Sequence, residues 1–277
     1  MVNCLEVHDG MAIYGLGHGP IQILDLNGTK PMRSLDTSQE GVNCLMVEDG
    51  MLFTGSCDRT IKIFDLRTSE EVSVLIGHQS AVSCLEVKDE LLISGSRDGM
   101  IKVWDYKNSK ELHALAGHQD MVNCLVVQDG MLISGSDDGE IKIWDLTNKK
   151  EVRSLDVGQS SVSCLKIKDR MLISASYDGT IKIIDLESGQ LLRPLVGHDL
   201  SVNCLEIKDG MVISGSDDNT IKIWDIESGK ELSSLAGHED GISSLRVKDG
   251  LLISGSWDQT TRIWDFTPKK PNPQTNS

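Results

Sequence analysis

The sequence predicts an all-β protein of seven near-identical units stacked around an axis. Three observations carry this. Aligned on the Val of "VNCL", the units begin at Val2, Val42, Val82, Val122, Val162, Val202 and Ile242, a spacing of 40 residues with no insertion or deletion. A period in this range marks a repeat architecture and takes precedence over local readings. Each unit holds short strand-like runs separated by tight-turn residues. No stretch combines helical periodicity with capping residues. One unit cannot bury both faces of its own sheet, but identical units stacked side by side can.

The elements follow in order. The first run reads "VNCLEV" at 2–7, and an Asp-Gly pair closes it in most units, the strongest short hairpin signal. The second reads "MLISGS" at 131–136 and the third "TIKIWD" at 220–225. A polar turn such as "ESGK" at 227–230 leads to a fourth, weaker run, "ELSSL" at 231–235.

Composition limits the function. The 277 residues are 39% hydrophobic and 25% charged, with a net charge of -15. That charge disfavours nucleic-acid backbones, which need a basic surface, and favours partners with basic segments. No apolar run has the length of a membrane span, and no signal or transit peptide is visible at the start. Six cysteines, Cys4, Cys44, Cys84, Cys124, Cys164 and Cys204, recur at one slot, where the seventh unit has Ser244. No CxxC pair is present, so these read as small buried thiols of a reducing compartment. Neither a metal nor a cofactor is expected, and localisation is expected to be cytoplasmic or nuclear.

The stretch "ISGSDDNTIKIWD" followed by "LAGH" resembles the WD-repeat (WD40) family, and the resemblance covers nearly the whole chain. It implies an all-β, closed, seven-bladed propeller with four-stranded antiparallel blades. It places one domain over 1–266 and a Pro-rich, disordered tail over 267–277. It also implies a buried network in each blade joining a His, a Ser or Thr, a turn Asp and a Trp. The expected members are His78, Asp98 and Trp104; His118, Asp138 and Trp144; His198, Asp218 and Trp224; and His238, Asp258 and Trp264. Units two and five lack both ends of the network, with Ser38 and Gly158 at the His slot and Phe64 and Ile184 at the Trp slot. Joint loss makes sense, because half a network would leave a buried polar group unpaired, at about 1–3 kcal/mol. Asp58 and Asp178 persist there, so the turn Asp should also cap backbone N–H groups. Unit one is the most divergent, with Tyr14, Leu16, His18 and Leu24 at otherwise regular slots. The Asp that ends the third run in every unit, from Asp25 to Asp265, reads as a turn cap.

Catalysis is not expected. The His–Ser–Asp sets recur with a Trp that implies burial, whereas a hydrolase needs one exposed nucleophile. The pairs Asp137-Asp138 and Asp217-Asp218 point to opposite sides of a strand end. The repeated Lys of "IKIWD" reads as a solvated strand position.

Function should lie where a repeating scaffold stops repeating. In the resembled family the top face around the axis binds peptides. The residues preceding the turn Asp are Gly17, Cys57, Arg97, Asp137, Tyr177, Asp217 and Trp257, spanning almost every chemical class beside an invariant neighbour. The residues around the first Val add Asn43, Asn123, Asn203 and Met121. The expectation is a non-catalytic, monomeric scaffold that holds a Lys- or Arg-bearing peptide or protein on its top face. The cation would sit between Asp137 and Asp217, its stem against Tyr177 and Trp257. By analogy with the family, the chain would be the substrate-recognition part of a larger ubiquitin-ligase-type protein. The competing readings are a structural subunit that binds through blade edges, and an enzyme using the central pocket.

The ends pose a separate question. Unit seven reaches "TTRIWD" at 260–265 and continues as "FTPKKPNPQTNS", poor material for a fourth strand. Either an upstream segment of a longer protein supplies that strand, or blade seven closes with three.

Overall fold

A computed structural model describes residues 1–29, 31–248 and 250–265. Among these, six sheets have four strands and the last has three, each blade running antiparallel from the axis outward. Blade one comprises Val2–His8, Met11–Leu16, Ile21–Asp25 and Arg33–Leu35. Blade seven comprises Ile242–Lys248, Leu251–Ser256 and Thr261–Asp265. The proline-rich stretch 267–277 lies outside the described residues.

The hairpin between the first two strands follows from its sequence. Asp49 and Gly50 have φ of 49° and 74°, and Asp209 and Gly210 have 48° and 81°, the paired left-handed residues of a tight primed turn. The Asp that ends the third strand caps the next turn: Asp145 Oδ1 accepts the N–H groups of Thr147 and Asn148 at 2.8 and 2.9 Å. The side chain of Asp265 is not described.

Two bulges recur, and both aim side chains. In the inner strand the register slips between Val122 and Cys124, leaving Asn123 without a strand partner at the channel rim. In the outer strand Val103 faces His113 but Trp104 faces Glu111, so Leu112 is extruded. The equivalents Val72, Val152, Leu192 and Leu232 are likewise exposed.

The core lies between blades. Each of six seams combines aliphatic residues of one blade, including a Leu of its outer strand, with inner-strand residues of the next. The thiols are mostly buried here, and burial pushes that of Cys84 up to about 12.

The expected networks form in blades three, four, six and seven. In blade four the Trp144 Nε1–H donates to Ser134 Oγ at 2.8 Å, with His118 Nε2 at 2.7 Å from the same oxygen and Nδ1 at 2.8 Å from Asp138. Trp only donates and an ionised Asp only accepts, so His118 carries its proton on Nδ1 and the Ser hydroxyl donates to Nε2. That neutral state agrees with the lowered pKa of His118, where burial outweighs the pull of Asp138.

Blades two and five correct one expectation. Their networks are replaced rather than emptied. Gln39 Oε1 accepts from Thr54 Oγ1 at 2.6 Å while its Nε2 donates to Thr60 Oγ1 at 3.1 Å. Gln159 repeats this with Ser174 and Thr180 at 2.5 and 3.0 Å. The amide carries both a donor and an acceptor, so it satisfies the site alone. Asp58 and Asp178 cap Thr60 and Thr180 at 2.9 Å, as expected.

The repeated Lys is corrected too. Lys102 pairs with Glu111 of the outer strand at 2.7 Å and Lys222 with Glu231 at 2.9 Å, with the Lys side chains only 13% and 15% exposed.

Candidate functional site at the channel mouth

At the top face the inner rims leave a hollow of about 600 Å³. Eight of the ten predicted partner-binding residues line it: Asn43, Arg97, Met121, Asn123, Tyr177, Asn203, Asp217 and Trp257. Asp137 stands just behind Asn123, which donates to its Oδ1 at 2.7 Å. Cys57 is exposed beside the rim, its thiol donating to Asn43 Oδ1 at 3.4 Å.

Backbone pairing sets most of these positions. The residue before the turn Asp donates its N–H across to the residue before the first Val: Asp137 to Met121 and Asp217 to Ser201 at 2.9 Å, Trp257 to Gly241 at 3.0 Å. Trp257 and Asp217 also converge on Gly241. A Cβ there would lie 3.0 Å from the indole and 2.7 Å from the carboxylate, so a glycine lets both sit at one side of the mouth.

Blade five departs from this pattern. The other blades have Gly at the slot of Ala175, and a Cβ at Gly135 would meet Cys124 Sγ at 2.8 Å and Val162 at 2.4 Å. Ala175 carries that Cβ, and the inner strand of blade five begins only at Cys164. At this rim Ser161 and Ser163 are buried, and Ser161 Oγ donates to Asp137 at 2.5 Å. Tyr177 lines the mouth in this blade, 42% exposed. Its phenol is pushed up to about 12, first by its sheltered position and then by Asp137 and Asp217. It is therefore a neutral donor flanked by two carboxylates.

The Asn ring has a structural duty that sequence reading assigned to a ligand. Asn43, Asn123 and Asn203 each donate to the main-chain carbonyl of the next blade, Val82, Val162 and Ile242, at 3.0 Å. In Asn123 and Asn203 the same amino group also reaches Asp137 and Asp217.

Beneath the mouth the channel continues between the inner strands, holding about 470 Å³. Arg246 spans three blades, reaching Glu6 Oε2 at 3.0 Å and Glu206 Oε1 at 3.2 Å, and Lys166 reaches Glu206 at 3.1 Å. Glu86 lies on the same circle with Lys166 and Arg246 at longer range, and desolvation raises its carboxyl to about 7. These channel charges escaped sequence reading. Their signal was the fifth inner-strand residue: Glu6, Met46, Glu86, Val126, Lys166, Glu206 and Arg246 vary as much as the mouth residues do. Among the described residues no group of His, Cys, Asp and Glu could hold a metal ion.

Comparison with known proteins agrees with this architecture. A family model described as "WD domain, G-beta repeat" matches residues 29–65, 69–105, 109–145, 149–185, 189–225 and 229–265. The crystal structure of the computationally designed Ika8 protein is similar at 30% identity and a TM-score of 0.77, covering 95% of this chain and 96% of that one. The WD40 beta propeller domain of Doa1 is similar at 26% identity and a TM-score of 0.87, covering 95% of this chain and 92% of that one. No curated protein matches.

Proposed function

The chain belongs to the WD40-repeat family, whose propellers are generally non-catalytic interaction scaffolds, and from that premise we propose that its channel mouth binds a protein segment bearing Lys or Arg. One observation carries the reading. Asp217, Tyr177, Trp257 and Arg97 come from four blades of a nearly invariant scaffold and meet in one hollow. Accessible aromatic anchors beside carboxylates suit a cation on an apolar stem. Asp217 and Trp257 share one side of the mouth, and Asp137 is partly occupied by Asn123 and Ser161. Asp217 is therefore the primary partner of the cation, with Asp137 acting through Tyr177 and Asn123. The acidic charge of the whole chain favours the same class of partner.

Binding is tested with an immobilised array of short peptides in which a central Lys, Arg, Gln or Glu is varied. The proposal expects retention only of Lys or Arg peptides, and a loss of at least tenfold on Trp257→Ala or Asp217→Ala. Equal retention of Glu and Lys peptides, or unchanged affinity in Tyr177→Ala, Trp257→Ala, Asp137→Ala and Asp217→Ala together, overturns it. Residence in the cytoplasm or nucleus, and service as the recognition part of a larger ubiquitin-ligase-type protein, belong to the same proposal. Copurification of ligase subunits with the full-length protein tests the second.

A further inference from the structure

We propose that a cavity between blades one and two is a second binding site, independent of the channel mouth, which takes a small organic carboxylate, its anionic end on Arg33 and Arg67 and its apolar body on Met11, Ile23 and Leu66. The cavity holds about 700 Å³, the size of a small-molecule site. It lies among the first-to-second and third-to-fourth strand turns, at the strand ends opposite the mouth. Its cause is Pro31. In the next five blades the residue at this slot pairs with the Trp slot of the third strand, as Glu111 does with Trp104. Pro31 has no N–H to give to that ladder, so the outer strand of blade one starts only at Arg33 and its pairing ends at Ile23. The seam is left open below that pair.

The charge pattern specifies the occupant. In blade three Glu90 of the hairpin pairs with Lys107 of the later turn, and in blade five Arg170 pairs with Glu187 from the same two slots. Blade two has Arg67 in the turn but Gly50 in the hairpin, with nothing within 4 Å of a Cβ built there. Among the described residues no carboxylate lies at ion-pair distance from Arg67. Asp65 feels its charge but spends Oδ1 on the N–H groups of Arg67 and Thr68. Arg33 is held at the same place: its Nη2 donates to Leu66 O at 2.9 Å, and its other N–H groups have no partner among the described residues. Arg153, its equivalent in blade four, spends two nitrogens on the carbonyls of Glu187 and Ser188, both at 2.7 Å. Two carboxylates also line the cavity. Asp25 caps its own turn, accepting from the N–H groups of Asn27 and Thr29 at 2.9 and 3.0 Å, and Asp9 meets His8 at 3.3 Å with its side chain 82% exposed. What remains is two guanidinium groups with spare donors beside an apolar wall, the match for a carboxylate on an apolar body. Salt screens the acidic charge of the whole chain beyond about 10 Å, so these near groups decide.

The test is a titration of the full chain with octanoate, octylamine and octanol, followed by amide chemical shifts. Octanoate should shift the amides of Met11, Asn27, Arg33 and Arg67 and bind about tenfold more tightly than the amine or the alcohol, the scale of one charge-assisted hydrogen bond. Arg67→Ala should weaken octanoate binding about tenfold. Gly50→Glu copies the blade-three pair, at a φ of 74° where Glu90 has 65°, and should weaken it as much by occupying Arg67. Unshifted amides around the channel mouth show that both variants fold. Binding should also survive Trp257→Ala, which separates this site from the mouth. Equal affinity for the three probes overturns the proposal, as does octanoate binding unchanged in both variants, tighter binding of a Glu-bearing peptide than of octanoate, or no shift at millimolar octanoate.

Discussion

Six seams of this ring are alike, and the seventh, between blades seven and one, is built differently. Across the six, an Asn or Ser of one blade donates to the next blade's main chain, as Asn3 does to Val42 at 3.3 Å and Ser163 to Val202 at 2.5 Å. At the closing seam Ser243 Oγ is buried without a partner, and so is Ser244 Oγ, where other blades carry Cys. The apolar cluster is also smaller there. Ala12 stands where other blades have Leu or Val, Leu24 where most have Trp or another large side chain, and among the described residues no outer-strand Leu joins Ile253, Leu5 and Val7. Charge crosses this seam too, Arg246 reaching Glu6 with two nitrogens, at 3.1 and 3.0 Å. The closing seam thus joins a smaller apolar cluster to a two-nitrogen ion pair in the channel, and it lacks the amide or hydroxyl tie that the other six seams have.

The largest expected effect attacks that difference directly. Arg246→Met leaves Glu6 without its partner and should cost about 3–5 kcal/mol in urea denaturation, with amide exchange rising first in blades seven and one. The same pair sets the acid response. Despite the opposing cost of burial, Arg246 holds Glu6 below its ordinary 4.5. Its contribution is therefore complete above that value and lost as pH falls through the lower folded value. Acid unfolding should open the closing seam first, an order that site-resolved exchange below pH 4.5 would check.

Next come the network serines. Ser134→Ala strands a buried indole N–H and should cost about 2–3 kcal/mol, while Ser254→Ala, beneath the half-covered Trp264, should cost about 1 kcal/mol. Equal losses by chemical denaturation would mean that blade seven is as well covered as the rest.

Glu86 gives a third measure. Its raised carboxyl favours the folded state when protonated, so stability falls as pH rises from 4.5 toward 7. Glu86→Gln should remove on the order of 2 kcal/mol of that slope, read from denaturation midpoints across the interval. The smallest effect should come from repairing the seam. Ser243→Asn supplies the missing tie to the Val2 carbonyl and should stabilise by about 0.5–1.5 kcal/mol in the same assay.

Much of this was legible in the residues. The invariant spacing located every blade, and the joint presence of His and Trp marked which networks form. The replacement in blades two and five was not legible, because Gln79 and Gln119 occupy the same slot in blades that keep their His. A glutamine turns inward only when the space beside it is empty, and that is a fact about volume. The mouth residues could be named from their variability. Their grouping could not, since it depends on Gly241 admitting an indole beside a carboxylate.

The sequence by itself determined the seven blades, their strands and turns, and the four His–Trp networks, because each rests on contacts within about 40 residues that the repeat restates along the chain. Tertiary structure alone decided which side chains meet across the axis. Arg246 and Glu6 are 240 residues apart and adjoin only because the ring closes. No local pattern encodes that closure, so the channel charges and the unusual seam appear only in the folded molecule.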